Sequence, residues 1–263
     1  MSEQVCVVTG STGSDGTGSA TVKFFAQKGW RVVVNYSKSA EAAKKVEAEC
    51  RSLGAADVLN IQADVTSDAD CRRMAKTVAD KWGRCDVLVN NAATTKFVPH
   101  RNMDDLSGED FQRILNVNVT GVYLVTRAFA DLMRKTPRAS VANISSMGGV
   151  QGTGSCMAYG ASKAALNAMT MALARVLAPE VRVNAVLPGF ITGEWLLNGM
   201  GEKAYEGMKQ AWIKNSPLES VDDPVDIGET VWWLATGPGK ITGELIHLDN
   251  GNRLGKASPT DKR

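Results

Sequence analysis

The length, composition and charge of the chain exclude several classes of protein. Its 263 residues, 44% of them hydrophobic, suffice for one sizeable α/β domain and are few for two. Lys and Arg number 30 against 28 acidic residues, and this formal charge of +2 argues against broad electrostatic binding to nucleic acid or an anionic membrane.

Short apolar segments alternate with longer amphipathic segments along the chain. The predicted strands are Val5–Val8, Arg31–Asn35, Val58–Gln62, Val87–Asn90, Ser140–Ile144, Arg182–Leu187 and Leu245–Asp249. The predicted helices are Ala20–Lys28, Ala40–Ser52, Cys71–Lys81, Asp110–Lys135 and Ala158–Leu177. Because the strands are rich in β-branched residues and do not alternate, the pattern predicts a parallel sheet with helices on both faces. We expect one domain over residues 1–255 and a polar tail at 256–263.

The cysteines and the apolar segments indicate the cellular compartment of the protein. Five cysteines lie scattered with no C-x-x-C spacing, which is typical of reduced thiols and indicates neither a disulfide framework nor a zinc site. No signal peptide is apparent before the first strand, and no apolar segment approaches the roughly 20 residues that span a bilayer. We therefore expect a cytoplasmic protein.

A glycine-rich segment follows the first strand and opens the first helix. Such a turn lets the backbone approach a pyrophosphate, and the helix N-terminus adds free N–H donors. The alternative is a plain Gly/Ser loop, which its place directly after the first strand disfavours. The predicted contacts are Gly10, Ser11, Thr12, Gly13, Asp15, Gly16, Thr17 and Gly18.

The end of the second strand bears on the choice between NAD and NADP. An NAD site typically has an acid there for the ribose hydroxyls, whereas this strand runs into Ser37 and Lys38. These two residues could hold a 2′-phosphate, which favours NADP. Lys38 as a merely solvated charge is the alternative, and Asp15 counts against NADP, so NAD stays possible.

A phenol and an ammonium lie four residues apart at Tyr159 and Lys163. On a helix this spacing places both side chains on one face, and the ammonium is expected to lower the pKa of the phenol so that it can act as a general acid or base. Ser146 follows a predicted strand and could hold a substrate oxygen against Tyr159. A surface Tyr–Lys pair and a simple Ser-Ser turn are the alternatives. A serine hydrolase is disfavoured because neither His100 nor His247 has a suitable context.

Taken together, these motifs resemble the short-chain dehydrogenase/reductase family from about Val5 to Leu254. The matching segments, in order, are Thr9-Gly10 to Gly18, Asp64-Val65, Asn90-Asn91-Ala92-Ala93, Asn118 to Gly121, Ser146, Tyr159-x-x-x-Lys163 and Pro188-Gly189. The resemblance implies a single-domain, Rossmann-like, doubly wound parallel sheet and hydride transfer between a nicotinamide dinucleotide and a carbonyl or alcohol carbon.

The resemblance also implies roles for particular residues. Asn118 would join Ser146, Tyr159 and Lys163 in a catalytic tetrad and hold a water relay, unless its amide merely satisfies a kinked helix. Lys163 would also bind the nicotinamide ribose. The cofactor contacts implied, besides the glycine turn, Ser37, Lys38, Tyr159 and Lys163, are Asp64, Val65, Asn91, Ala92, Ala93, Pro188, Gly189, Ile191 and Thr192.

The chain departs from the family pattern at three places. Five residues instead of three separate Gly10 from Gly16, which leaves the phosphate contacts of the turn open residue by residue. Ala93 stands where the family has glycine, and Gly193 stands where it often has threonine, with Thr192 just before it.

The segment at about 193–217 falls where the family carries its substrate lid. It is rich in Trp, Leu, Met and Tyr, and its glycines at 199, 201 and 207 could act as hinges, so we expect an apolar cover and a substrate with some apolar bulk. Helices packing on the core or on a neighbour are the alternative. Pro179-Glu180 replaces the basic residue expected of a reductase that docks an acidic carrier. The resemblance further implies a homotetramer, with a dimer as second choice.

Two other functions remain as alternatives to an NAD(P)-dependent oxidoreductase. A dinucleotide-binding regulator without turnover would have no need of Tyr159. An epimerase or dehydratase of the extended relatives would need a larger carboxyl-terminal part than this chain offers. No metal site is expected.

Overall fold

The computed structural model describes residues 4–13, 15–237 and 239–257 of the chain. The strands are β1 Val5–Val8, β2 Arg31–Tyr36, β3 Asp57–Gln62, β4 Val87–Asn90, β5 Ala139–Ile144, β6 Val181–Pro188 and β7 Leu245–Leu248. The helices are α1 Thr17–Gln27, α2 Ala40–Ser52, α3 Asp68–Trp82, α4 Gly108–Leu115, α5 Val122–Arg134, α6 Gly148–Gln151, α7 Met157–Leu177, α8 Glu194–Met200, α9 Glu202–Asn215 and α10 Pro224–Thr236. Residues 258–263 of the predicted polar tail lie outside the described part.

All seven strands form one parallel sheet in the order β3-β2-β1-β4-β5-β6-β7. From β1 the chain adds β2 and β3 on one side. It then crosses to the other side of β1, where β4 to β7 follow in order. This confirms the predicted doubly wound, Rossmann-like fold. The order reverses between β1 and β4, and in such sheets ligands bind at the carboxyl ends of the strands at that point.

Helices cover both faces of the sheet, and the residues of β1 show why its strands are apolar throughout. Val5 and Val7 belong to the core formed with α3, α5 and α7, whereas Cys6 and Val8 belong to the core formed with α1, α2 and α10. All four are fully buried. A strand that is covered on both faces has no polar side, which explains the non-alternating sequence.

The predicted single helix Asp110–Lys135 is wrong in its middle. A π-helical turn at Asn116–Gly121 separates α4 from α5. A hypothetical Cβ on Gly121 would lie 2.9 Å from Cγ2 of Val65, so the helix approaches the segment after β3 closely at this turn. Turns of this kind occur often at functional sites, and this one contains Asn118.

Candidate active site

A cleft of about 1560 Å³ opens at the carboxyl ends of the central strands. Most of the predicted site residues lie in its wall. They are Gly10, Gly13, Asp15, Gly16, Thr17, Gly18, Ser37, Lys38, Asp64, Val65, Asn91, Ala92, Ala93, Ser146, Tyr159, Lys163, Pro188, Gly189, Ile191 and Thr192. Three predicted residues, Ser11, Thr12 and Asn118, do not line the cleft.

The glycine turn packs so tightly that side chains are excluded at two positions. Gly10 has a positive φ of 62°, and a Cβ there would lie 2.9 Å from Cα of Ala92. A Cβ on Gly18 would lie 2.4 Å from Nδ2 of Asn91 and 2.6 Å from the carbonyl oxygen of Gly10. The turn thus brings bare backbone and the N-terminus of α1 to the cleft, which is the geometry that accommodates a diphosphate.

The structure corrects the prediction for Ser11. Its side chain is fully buried, and its hydroxyl donates to the carbonyl of Val8 at 3.1 Å and accepts from the backbone N–H of Asn35 at 3.1 Å. Ser11 therefore ties the turn to β2 instead of facing a ligand. Thr12 is half-buried beside it and also lies outside the cleft wall.

Two residues that position the turn, Thr9 and Asn35, were not predicted to do so from the sequence. The amide of Asn35 accepts from the N–H of Gly10 at 3.1 Å and donates to the carbonyls of Ile61 and Ala63. The hydroxyl of Thr9 accepts from the N–H groups of both Asn91 and Ala92. Both side chains are buried and polar. A polar residue at the end of an otherwise apolar strand is the signal in the sequence that could have indicated them.

The outer end of the cleft carries charges of both signs. Ser37 and Lys38 are exposed just beyond β2, and the acids Asp15 and Asp64 line the same region. One oxygen of Asp64 accepts from the N–H and hydroxyl of Thr66, which fixes the carboxylate in place. This mixture agrees with the open choice between a 2′-phosphate and a free ribose.

Tyr159 and Ser146 meet at the inner end of the cleft. Tyr159 lies on α7 and is 9% exposed, and its hydroxyl shares a hydrogen bond with that of Ser146. The neighbouring Ser145 points elsewhere, because its hydroxyl donates to Oδ1 of Asn167 at 2.6 Å and to the carbonyl of Lys163. The structure thus decides which serine of the pair faces the phenol.

The pKa values at this pair differ from the sequence expectation. Burial raises the pKa of Tyr159 to about 12, with the hydrogen bond from Ser146 acting in the opposite direction, and burial lowers the pKa of Lys163 to about 8. Nζ of Lys163 donates to the carbonyl of Ile144 at 2.7 Å and lies 5.5 Å from the centroid of the Tyr159 ring. The expected lowering of the phenol pKa is not found in this structure, because desolvation and not the Lys163 ammonium dominates it.

Asn118 is buried behind the site. Its amide accepts from the N–H of Thr94 at 2.8 Å and donates at 3.0 Å to the carbonyl of Thr94 and to the hydroxyl of Ser162. Ser162 in turn donates to the carbonyl of Tyr159. Asn118 thus braces the loop after β4 against α7, and its role in a water relay stays a prediction.

The loop after β6 is held by an acid that the sequence analysis missed. Asp222 is 3% exposed; its carboxylate accepts from Nδ2 of Asn250 at 2.8 Å and, at 3.4 Å, from the N–H of Gly189. Its backbone pairs with Phe190 and Thr192. Burial raises the pKa of Asp222 to about 7. The hydroxyl of Thr192 donates to Asp223, so that side chain is engaged within the protein.

Helices α8 and α9 form the predicted lid segment. Trp195, Leu196, Met200, Met208 and Trp212 line the cleft, whereas Tyr205 instead accepts from the N–H of Gly193 and packs on Phe190. Of the three glycines predicted as hinges, Gly201 alone has a positive φ angle. Glycines 199 and 207 lie within helices, and the positive φ angles occur at glycines 193 and 201, which precede α8 and α9.

Comparison with known proteins agrees with this site. A family model described as enoyl-(acyl carrier protein) reductase matches residues 10–253. The chain is 36% identical over 254 residues to a 3-oxoacyl-(acyl-carrier-protein) reductase of Synechocystis, and the alignment covers 95% of this chain and 97% of that relative. It is 34% identical over 253 residues to the corresponding reductase of Thermotoga maritima, with coverage of 94% and 97%. A solved NAD+-bound xylitol dehydrogenase superposes with a TM-score of 0.84 at 30% identity, covering 95% of this chain and 98% of that one.

The chain therefore belongs to the short-chain dehydrogenase/reductase family. It is an oxidoreductase that uses a nicotinamide cofactor and acts on carbonyl or alcohol groups. In the described part of the chain, no helix is long and apolar enough to cross a membrane.

Proposed function

We propose that this enzyme transfers a hydride between NADP(H) and a ketone or secondary alcohol with apolar bulk, with Tyr159 as the general acid or base. The observation that carries the proposal is the meeting of Tyr159, Ser146 and Lys163 in the cleft that the glycine turn also lines. One wall offers backbone to a diphosphate, and the opposite end offers a hydroxyl pair to a carbonyl oxygen.

The dinucleotide fits the residues present. Gly10 and Gly18 leave no room for a Cβ, which matches a close approach of phosphate to backbone. Asp64, Val65, Asn91, Ala92 and Ala93 would border its adenosine and ribose, and the 188–192 loop would border its nicotinamide end. When bound, the nicotinamide supplies or accepts the hydride.

Side chains of the protein donate the proton and stabilise the charge that its transfer leaves behind. Tyr159, with a pKa of about 12, is protonated at neutral pH and can donate to an oxygen that gains charge. Ser146 holds that oxygen next to the phenol. Lys163, with a pKa of about 8, is mostly an ammonium at pH 7, so its charge stabilises the phenolate left behind.

The test is the oxidation of NADPH against a panel of ketones, followed at the nicotinamide absorbance. We expect turnover that Tyr159→Phe lowers by at least about a hundredfold, because the general acid is removed and the fold is kept. Tyr123→Phe, a change at a tyrosine exposed on α5, is the matched control. Cofactor binding without turnover of any ketone would instead favour a regulator.

For the cofactor, we propose NADP, supported by the exposed Ser37 and Lys38 in the cleft wall. Lys38→Glu should lower kcat/KM with NADPH by about tenfold and leave that with NADH within a factor of three, because only NADPH carries the 2′-phosphate. Lys203→Glu, on the lid helix α9, is the control. An equal loss with both cofactors would contradict the assignment.

We also propose a cytoplasmic homotetramer. The five cysteines are free and buried, which suits a reducing compartment. Apolar side chains stand exposed on α5, α7 and α10, namely Tyr123, Met171, Val176, Val225 and Trp233, and self-association with closed symmetry would cover them. Light scattering after size exclusion gives the mass directly, and a monomer would refute this assembly.

A further inference from the structure

We infer that the substrate is a neutral ketone, or the corresponding alcohol, that carries a ring next to its reacting carbon. The inference rests on the proposed function and names the substrate class of the same site. It rests on three neighbouring aromatic side chains, Phe97, Trp195 and Tyr159, which we call the aromatic wall. The Tyr159 ring in this wall carries the reacting hydroxyl.

The aromatic wall is continuous from the phenol to the lid. The Trp195 ring lies 6.0 Å from the Tyr159 ring at an interplanar angle of 56° and 6.1 Å from the Phe97 ring at 71°. Aromatic rings at these distances and tilts interact favourably, and the same geometry would receive a further ring. All three side chains line the cleft.

The wall is held in place from behind. A Cβ on Gly199 would lie 2.0 Å from Cε2 of Phe97, so the Phe97 ring rests directly on the backbone of α8. This contact fixes the distance between the lid helix and the loop after β4. Trp195 itself is 50% exposed, which leaves a large apolar face for a ligand to cover.

Charge at this end of the cleft is balanced or absent. The charged residues among the described part of the cleft wall are Asp15, Lys38, Asp64, Arg113 and Lys163. The first three border the dinucleotide end, and Lys163 lies behind the phenol. Arg113 donates to the hydroxyl of Thr94 at 2.9 Å and pairs with Asp110 at 3.4 Å. Among the described charged residues of the cleft wall, none beside the aromatic wall is free to pair with a charged substrate, which favours a neutral one.

Apolar side chains of the lid segment line the rest of the pocket. Leu196, Met200, Met208 and Trp212 face the cleft from α8 and α9. Thioether and indole side chains adapt to a flat or puckered ring and bind it over its whole face. A linear chain would cover less of the Trp195 face.

The experiment compares two ketones of equal carbon count, 1-phenyl-1-butanone and 2-decanone, with NADPH as reductant. We expect kcat/KM to favour the ring ketone by about tenfold in the wild type. Trp195→Ala should lower the value for the ring ketone about tenfold and that for 2-decanone less than threefold. Leu53→Ala, at an exposed position just after α2 and outside the cleft wall, should change neither.

A second variant and a binding measurement keep the inference separate from the proposed function. Phe97→Leu retains apolar volume without a ring and should reduce the preference in the same direction if Trp195→Ala fails to fold. Calorimetry on the Tyr159→Phe enzyme with NADPH gives the ketone affinities without turnover.

Equal kcat/KM for the two ketones, or an equal loss with both in Trp195→Ala, would overturn the inference while leaving hydride transfer intact. Better reduction of the keto group of a linear 3-oxoacyl thioester than of the ring ketone would do the same. Tight binding of the ring ketone without any turnover would refute the proposed function alone.

Discussion

The buried carboxyl of Asp222 gives the stability of this protein a pH dependence that can be isolated by one substitution. Burial raises its pKa from 3.8 to about 7. The folded state therefore keeps a proton that the unfolded chain releases, so the contribution of Asp222 to stability is greatest below pH 4 and falls as the pH rises towards 7. A gap of about three units corresponds to about 4 kcal/mol over the whole window.

Asp222→Asn removes this titration while keeping a side chain of similar size. Other groups titrate alike in both proteins, so the difference in unfolding free energy, variant minus wild type, should rise by about 2.3 kcal/mol from pH 5 to 7 and level off above pH 8. The amide has one acceptor fewer for Gly189 and Asn250, which shifts the difference by a constant of about 1 kcal/mol without altering its slope.

Urea unfolding followed by circular dichroism at several pH values measures this difference. Asp131→Asn is the matched control, because Asp131 loses the same charge from a side chain that is 89% exposed. Its difference curve should stay nearly flat. A flat curve for Asp222→Asn between pH 5 and 7 would refute the reasoning.

Two further predictions concern the site. Gly18→Ala should weaken dinucleotide binding at least about tenfold in a fluorescence titration, because the new methyl group would meet Asn91 and the backbone of Gly10. Gly108→Ala, in the first turn of α4 and with nothing within 4 Å of the added methyl group, is the control, and unchanged affinity of Gly18→Ala would contradict the tight-turn geometry. Reductase kcat should fall above about pH 8, since Lys163 then loses its charge; a profile that stays flat to pH 10 would argue against its electrostatic role.

Local sequence patterns predicted many of the strands and helices of this protein. β1, α2 and β4 begin and end where the apolar periodicity predicted, because a strand buried on both faces and a helix with one apolar stripe leave distinct signatures. The parallel sheet with helices on both faces also followed from strand–helix alternation, and the resemblance to the family implied its doubly wound order. The Tyr159–Lys163 spacing and the place of Ser146 after β5 located the inner end of the cleft.

Other features depended on contacts between distant segments, which no local pattern reports. Ser11 turned inward because Asn35, 24 residues away, offers its backbone N–H. Asp222 became a buried acid because Gly189 and Asn250 converge on it, and the phenol pKa rose because packing removed water from Tyr159. Sequence alone determined most of the strands, the parallel sheet covered on both faces and the candidate catalytic side chains. Only the tertiary structure decided burial, and with it which groups face a ligand and how they titrate, since desolvation depends on every neighbour at once.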